Sequence, residues 1–172
     1  IYVGAPDGGL WVTTNGGTSW TTNTDQLTVI GCSDIAIDPT NTNTLYLATG
    51  DGDAGDSYSI GVLKSTDGGL TWNTTGLTWT VNQGRTISRL IIDPTNPQLL
   101  LAATSAGIWK TINGGTSWTQ SSTTAVNDIE FKPGATATVY ATGTSFLKST
   151  NNGTSFTAIT SGRSEEHTSE LQ

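Results

Sequence analysis

Apolar residues in this chain gather in short runs that alternate with polar ones and stop at proline or glycine, the period-two pattern of β-strands. Three such runs align as one strand, A: Asp34-Ile35-Ala36-Ile37-Asp38-Pro39, Arg89-Leu90-Ile91-Ile92-Asp93-Pro94 and Asp128-Ile129-Glu130-Phe131-Lys132-Pro133. A second strand, B, follows each of them at Thr44 to Thr49, Gln98 to Thr104 and Thr138 to Thr142, and Ile1 to Gly4 is its shortened copy. Strand C begins at Gly9, Gly61, Gly107 and Ser145, and a turn leads from it into a fourth strand, D. Four antiparallel strands recurring every ~40 to 50 residues predict an all-β chain of propeller-like sheets. Three sheets are complete and the first lacks strand A, with units at 1–30, 31–82, 83–124 and 125–162.

The C–D turn is the most regular feature. It reads Thr13-Thr14-Asn15-Gly16-Gly17-Thr18-Ser19-Trp20, Ser65-Thr66-Asp67-Gly68-Gly69-Leu70-Thr71-Trp72, Thr111-Ile112-Asn113-Gly114-Gly115-Thr116-Ser117-Trp118 and Ser149-Thr150-Asn151-Asn152-Gly153-Thr154-Ser155-Phe156. Asp or Asn at the third position can accept hydrogen bonds from the amides that follow, and glycine supplies positive φ without a steric cost. The aromatic that closes each copy, Trp20, Trp72, Trp118 or Phe156, is expected to fold back over the turn and be buried at an equivalent place. The polar and glycine positions of the motif are therefore read as structural rather than catalytic.

This motif resembles the Asp-box, or bacterial neuraminidase repeat, of a propeller family that includes sialidases, xyloglucanases, sortilin-type receptors and photosystem assembly factors. The resemblance covers residues 1–162. It implies a partial β-propeller of four-stranded blades with Asp-box C–D hairpins. The Asp-Pro-Thr-Asn turns look like those of large secreted bacterial surface proteins and xyloglucanase-like enzymes, which implies a secreted or cell-surface location. The remaining blades of a longer chain are then an expected partner.

Composition sharpens this picture. A net charge of −7 with only seven Lys and Arg disfavours nucleic acid as a partner, and no apolar run approaches the ~18 residues of a membrane span. The single cysteine, Cys32, rules out an internal disulfide framework. Arg163 to Gln172 breaks the Gly- and Thr-rich composition and reads like a translated sequencing adapter, so residues 163–172 are expected to be foreign to the fold. The only histidine, His167, lies in that stretch, which leaves the body without histidine chemistry. Unpaired edges and apolar faces at the terminal sheets predict self-association.

Candidate chemistry lies on the face opposite the boxes, where the B–C and D–A connections emerge. The second unit carries an inserted loop, Gly50 to Ile60, with Asp51, Asp53, Asp56 and Tyr58. Long loops are disproportionately functional. Its three carboxylates could gather around Ca²⁺, but the EF-hand order fails because Gly55 and Val62 stand at ligand positions, and a metal-free solvated loop is the reading preferred. The next connection brings Trp79 and Arg85 to the same face. Trp79 could stack on a sugar or cap a neighbouring sheet; Arg85 could pair with Asp53 or Asp56 or make a local bridge. A sialidase fits poorly, since the body offers only Arg85, Arg89 and Glu130 for a site that the resemblance would furnish with three arginines and a Tyr/Glu pair. A binding module for a polysaccharide or protein is the first reading, needing no cofactor. The alternative is a xyloglucanase-like hydrolase with carboxylates among Asp34, Asp51, Asp53 and Asp56, completed outside these residues.

Overall fold

The computed structural model describes residues 1–52 and 57–160, which form a partial β-propeller of four antiparallel sheets. The first sheet has three strands, β1 (Tyr2–Ala5), β2 (Gly9–Val12) and β3 (Thr21–Thr22). The second runs β4 (Cys32–Ile37), β5 (Leu45–Thr49), β6 (Gly61–Ser65) and β7 (Asn73–Thr78). In the third, β8 (Ile87–Asp93), β9 (Asn96–Thr104), β10 (Gly107–Thr111) and β11 (Thr119–Ser122) pair in the same order. The fourth comprises β12 (Val126–Phe131), β13 (Val139–Gly143), β14 (Phe146–Ser149) and β15 (Thr157–Ala158). The A strands of the sequence pattern are β4, β8 and β12. The adapter-like segment 163–172 lies outside the described residues.

Apolar alternation sends side chains to both faces of each sheet, so the core is divided among the spaces between sheets. Leu10 and Cys32 pack with Leu47 and Leu63 between the first and second sheets. Tyr46, Val62 and Leu77 meet Leu90, Leu100 and Ala102 between the second and third. Ile91, Leu101 and Ile108 meet Ile129, Val139 and Leu147 between the third and fourth. Burying one such side chain contributes ~1.5 to 3 kcal/mol.

Each C–D turn is held by one hydrogen-bond design. The Ser65 hydroxyl donates to Asp67 Oδ1 at 2.7 Å and accepts the Gly69 amide at 2.9 Å, while Asp67 Oδ1 accepts the Thr71 amide at 2.9 Å. Thr13 with Asn15, Thr111 with Asn113 and Ser149 with Asn151 repeat the arrangement on Gly17, Gly115 and Gly153. The amide closing each copy belongs to Ser19, Ser117 or Ser155. The second glycine of the motif has positive φ in all four, from 71° at Gly153 to 94° at Gly17. Asn152, at φ 58°, takes the left-handed place that glycine holds in the other copies.

The turns also join the sheets. Cross-strand partners Tyr46 and Lys64 both reach the Gly114 carbonyl of the next sheet's turn, at 3.1 and 3.0 Å. Tyr2 donates to the Gly68 carbonyl at 3.1 Å. At the third sheet the equivalent pair is Leu101 and Lys110; Lys110 donates to Thr154 at 2.7 Å, and a Cβ on Gly153 would strike Leu101 at 2.7 Å.

One expectation about the aromatics is corrected. Trp72, Trp118 and Phe156 are half-buried against the preceding sheet, but Trp20 is exposed, because no sheet precedes the first among the described residues.

Two outcomes test the turn chemistry. Ser65→Ala leaves the buried Gly69 amide without its acceptor and is expected to cost ~1 to 3 kcal/mol in urea unfolding. Hydrogen bonds from Thr71 and Ser65 hold the Asp67 carboxyl down at about 2, below the ordinary value of ~3.9. Its contribution is therefore full above the ordinary value and fades as pH falls towards 2. Asp67→Asn, the residue the other three turns use, should leave the melting temperature at pH 7 nearly unchanged and flatten its acid dependence between pH 4 and 2.

Candidate functional site

All three inner strands carry a β-bulge at the same place. The register slips between Cys32 and Asp34, between Ile87 and Arg89, and between Val126 and Asp128, which leaves Ser33, Ser88 and Asn127 as the extra residues. A bulge re-aims a side chain that strict alternation would send elsewhere. Ser33, Ser88 and Asn127 line one cavity of about 310 Å³, together with Pro6, Asp51 and Gly52.

Asp51 enters this cavity from the inserted loop. The loop is drawn in by backbone contacts: the Gly50 amide donates to the Gly31 carbonyl at 2.9 Å and the Asp51 amide to the Ser57 carbonyl at 2.7 Å. Gly52 lies so close to β8 that a Cβ there would fall 2.4 Å from the Ile87 carbonyl oxygen. The far end is fixed by the buried hydroxyls of Thr49 and Ser59, 3.0 Å apart, and by Ser59's amide on the Arg85 carbonyl at 2.8 Å. Asp51 is left only 3% exposed, a buried carboxylate in a polar cavity at the sheet ends.

The position after each bulge carries charge. Arg89 of β8 stands between Asp34 of β4 and Asp128 of β12, 3.6 Å from each, and its guanidinium also donates to Glu130. Burial pushes the Asp34 carboxyl above its ordinary range, although the amides of Leu90 and Ile35 and the Arg89 charge act against the shift. The Glu130 hydrogen bond holds the proton on Arg89 more firmly. Arg89 thereby links carboxylates of the second and fourth sheets to the third. The Cys32 thiol, at the first bulge, is pushed up to about 12, chiefly by burial, and is no nucleophile at neutral pH.

The remaining candidates separate. Trp79 is 7% exposed, packed into the cluster between the second and third sheets with its edge against Trp109 at 6.4 Å and Arg85 over its ring at 5.3 Å. The packed ring has no open face for a sugar, and Arg85 stands on Trp79. Tyr58, on the inserted loop beside Gly84, is exposed. Asp53 and Asp56 lie outside the described residues, and with them the Ca²⁺ arrangement and their pairing with Arg85. No group of three or more metal-ligating side chains occurs among the described residues. Sequence reasoning passed over Ser33, Ser88 and Asn127; their signal was the aligned polar position just ahead of Asp34, Arg89 and Asp128.

No family model matches the chain. A xyloglucanase of Paenibacillus sp is 33% identical over 97 residues, covering 52% of this chain and 9% of that protein. A xyloglucanase of Hypocrea jecorina is 30% identical over 132 residues, 69% of this chain and 16% of that protein. The crystal structure of the GH74 enzyme of Niastella koreensis superposes on 92% of this chain and 27% of its own, with a TM-score of 0.67 and 30% identity. The chain thus spans between about a tenth and a quarter of the proteins it resembles.

If Trp79 serves packing, Trp79→Ala is expected to cost ~3 to 5 kcal/mol in urea unfolding before any ligand is added. A variant as stable as its parent would place the ring outside the core.

Proposed function

We propose that this chain is a section of a secreted or cell-surface Asp-box propeller that acts on plant-type β-glucans of the xyloglucan class, and that the bulge-lined cavity around Asp51 is part of its glycan site. The observation that carries the reading is a buried carboxylate set among polar residues from three successive inner strands. The similarity to xyloglucanases supports the substrate class. Sugar recognition combines hydroxyl-binding polar groups with an aromatic platform. Asp51, Ser33, Ser88 and Asn127 offer the first. Tyr58, one residue past the carbonyl that accepts the Asp51 amide, offers the second.

Hydrolysis asks for more than binding. Glycoside cleavage uses two carboxylates, ~5 to 9.5 Å apart according to mechanism. Asp51 is the single carboxylate lining this cavity among the described residues. The reading is therefore divided: these residues bind the glycan, and cleavage belongs to a longer propeller that brings a second carboxylate opposite Asp51. No helix among the described residues is long and apolar enough to cross a membrane.

The test is titration of the chain with xyloglucan oligosaccharides in a calorimeter, beside a reducing-sugar assay. Binding without sugar release is expected. Asp51→Asn and Ser88→Ala should each weaken binding at least tenfold with the circular dichroism spectrum unchanged. Failure to bind xyloglucan or any other β-glucan would end the reading, and sugar release by the chain alone would end its division into binding and cleavage.

A further inference from the structure

Strands β6 and β10 carry a lysine at the same place, Lys64 and Lys110, but the two are provided for differently. The Lys64 ammonium donates to the Gly114 carbonyl at 3.0 Å and lies 5.1 Å over the ring of its cross-strand partner Tyr46. Lys110 faces Leu101 across the strands, which offers no ring. Its ammonium makes one hydrogen bond among the described residues, to the Thr154 hydroxyl at 2.7 Å, and that hydroxyl gives its own proton to the Asn151 carbonyl at 2.8 Å. No carboxylate of the described residues pairs with Lys110; the three ion pairs they form all belong to Arg89. Yet Lys110 is only 8% exposed, and burial draws its ammonium below the ordinary lysine range. A buried ammonium with two of its three donors unused is destabilising unless an anion reaches it.

The space in front of Lys110 has room for such an anion and groups to hold its carrier. A cavity of about 340 Å³ on the turn side of the third sheet is lined by Lys110 with Ile112, Ser117, Gln120, Ser121 and the Thr154 of the fourth. Both sheets have all four strands, and none of these residues lines the cavity around Asp51. Ser117 accepts from Asn113 Nδ2 at 2.9 Å and keeps its own proton for a ligand. Gln120 donates to the Ala106 carbonyl through Nε2, which leaves Oε1 as an acceptor. The Ser121 hydroxyl adds a donor and an acceptor. A volume at the lower end of the ~300 to 1,000 Å³ range of ligand pockets suits a group the size of one sugar ring.

We propose that this cavity binds a sugar acid, with its carboxylate on Lys110 Nζ and its ring hydroxyls on Ser117, Gln120 and Ser121. One buried cation matches one negative charge. A phosphate brings more charge than Lys110 can neutralise, and the chain's net charge of −7 opposes it. A carboxylate fits, and the surrounding hydroxyl and amide groups select a polyhydroxylated carrier over an apolar acid. The same chemistry comes from a free uronic acid or from a uronic acid residue of a polysaccharide. Because the site shares no residue with the bulge-lined cavity, it stands or falls independently of the xyloglucan reading.

Calorimetric titration of the full 172-residue chain with glucuronate, galacturonate, glucose and acetate tests it. A uronate is expected to bind at least tenfold more tightly than glucose, which lacks the charge, and than acetate, which lacks the ring. Lys110→Met should weaken that binding at least tenfold. Lys132→Met, the same change of charge at an exposed lysine, should leave it unaltered. Circular dichroism should match the parent; a Lys110→Met chain that fails to fold is replaced by Gln120→Glu, which sets a like charge against the carboxylate from an exposed position and should bring the same loss. Digalacturonate binding as tightly as galacturonate assigns the polysaccharide source, and binding of the monosaccharide alone assigns the free acid. The proposal is overturned if neither uronate binds, if glucose or acetate binds as tightly, or if binding is indifferent to Lys110→Met and Gln120→Glu.

Discussion

Every sheet in this chain depends on the contact between a strand pair and the turn of the next sheet. A four-stranded sheet with apolar residues on both faces cannot cover itself; it folds only when a neighbour closes each side. The Gly114 carbonyl meets a tyrosine hydroxyl and a lysine ammonium together, which sets how two sheets are rotated and how far apart they stand. That carbonyl can be aimed because the turn behind it is rigid. Thr111 and Asn113 secure the amides of Gly115 and Ser117, and the backbone between them has little freedom left. The motif is at once a local turn and one half of an interface. This explains why its polar residues recur while Leu70 and Ile112 on its outer surface vary from Thr18 and Thr14.

The candidate site follows from the same stacking. Inner strands that are brought together around an axis need some way to accommodate polar groups at their ends, and the shared bulge provides it. Ser33, Ser88 and Asn127 turn towards one space, and the next residues, Asp34, Arg89 and Asp128, form ion pairs across the sheets. A loop of ordinary length would leave that space to solvent. The insertion after β5 instead carries Asp51 into it and holds the carboxylate there through main-chain contacts with neighbouring loops.

Much of the architecture was legible because it rests on local chemistry. Period-two alternation locates β4, β8 and β12, and the Ser/Thr-x-Asx-x-Gly order carries its own hydrogen bonds wherever it occurs. What escaped depends on neighbours. Trp79 and Tyr58 are both aromatics of long connections on one face, and only the position of Trp109 decides that the first is core and the second is not. Trp20 looks identical in sequence to Trp72, but its burial requires a sheet on its other side. The bulges were present in the alignment as one polar column. Their extra residue becomes visible only when Cys32 and Asp34 are found opposite Thr49 and Ala48, adjacent partners on β5.

The way each sheet carries one half of an interface on either face bears on how such a chain changes its length. A duplicated unit arrives with a strand pair for the unit after it and a turn for the unit before it, so insertion between any two neighbours creates two contacts of a kind already present. Growth in whole repeats is thereby permissive, while drift within a repeat is constrained from both sides. A substitution at Gly114 would be felt by the hairpin that contains it and by Tyr46 and Lys64 in another sheet. Long chains of this design can gain or lose units by recombination more readily than they can revise the turn that joins them.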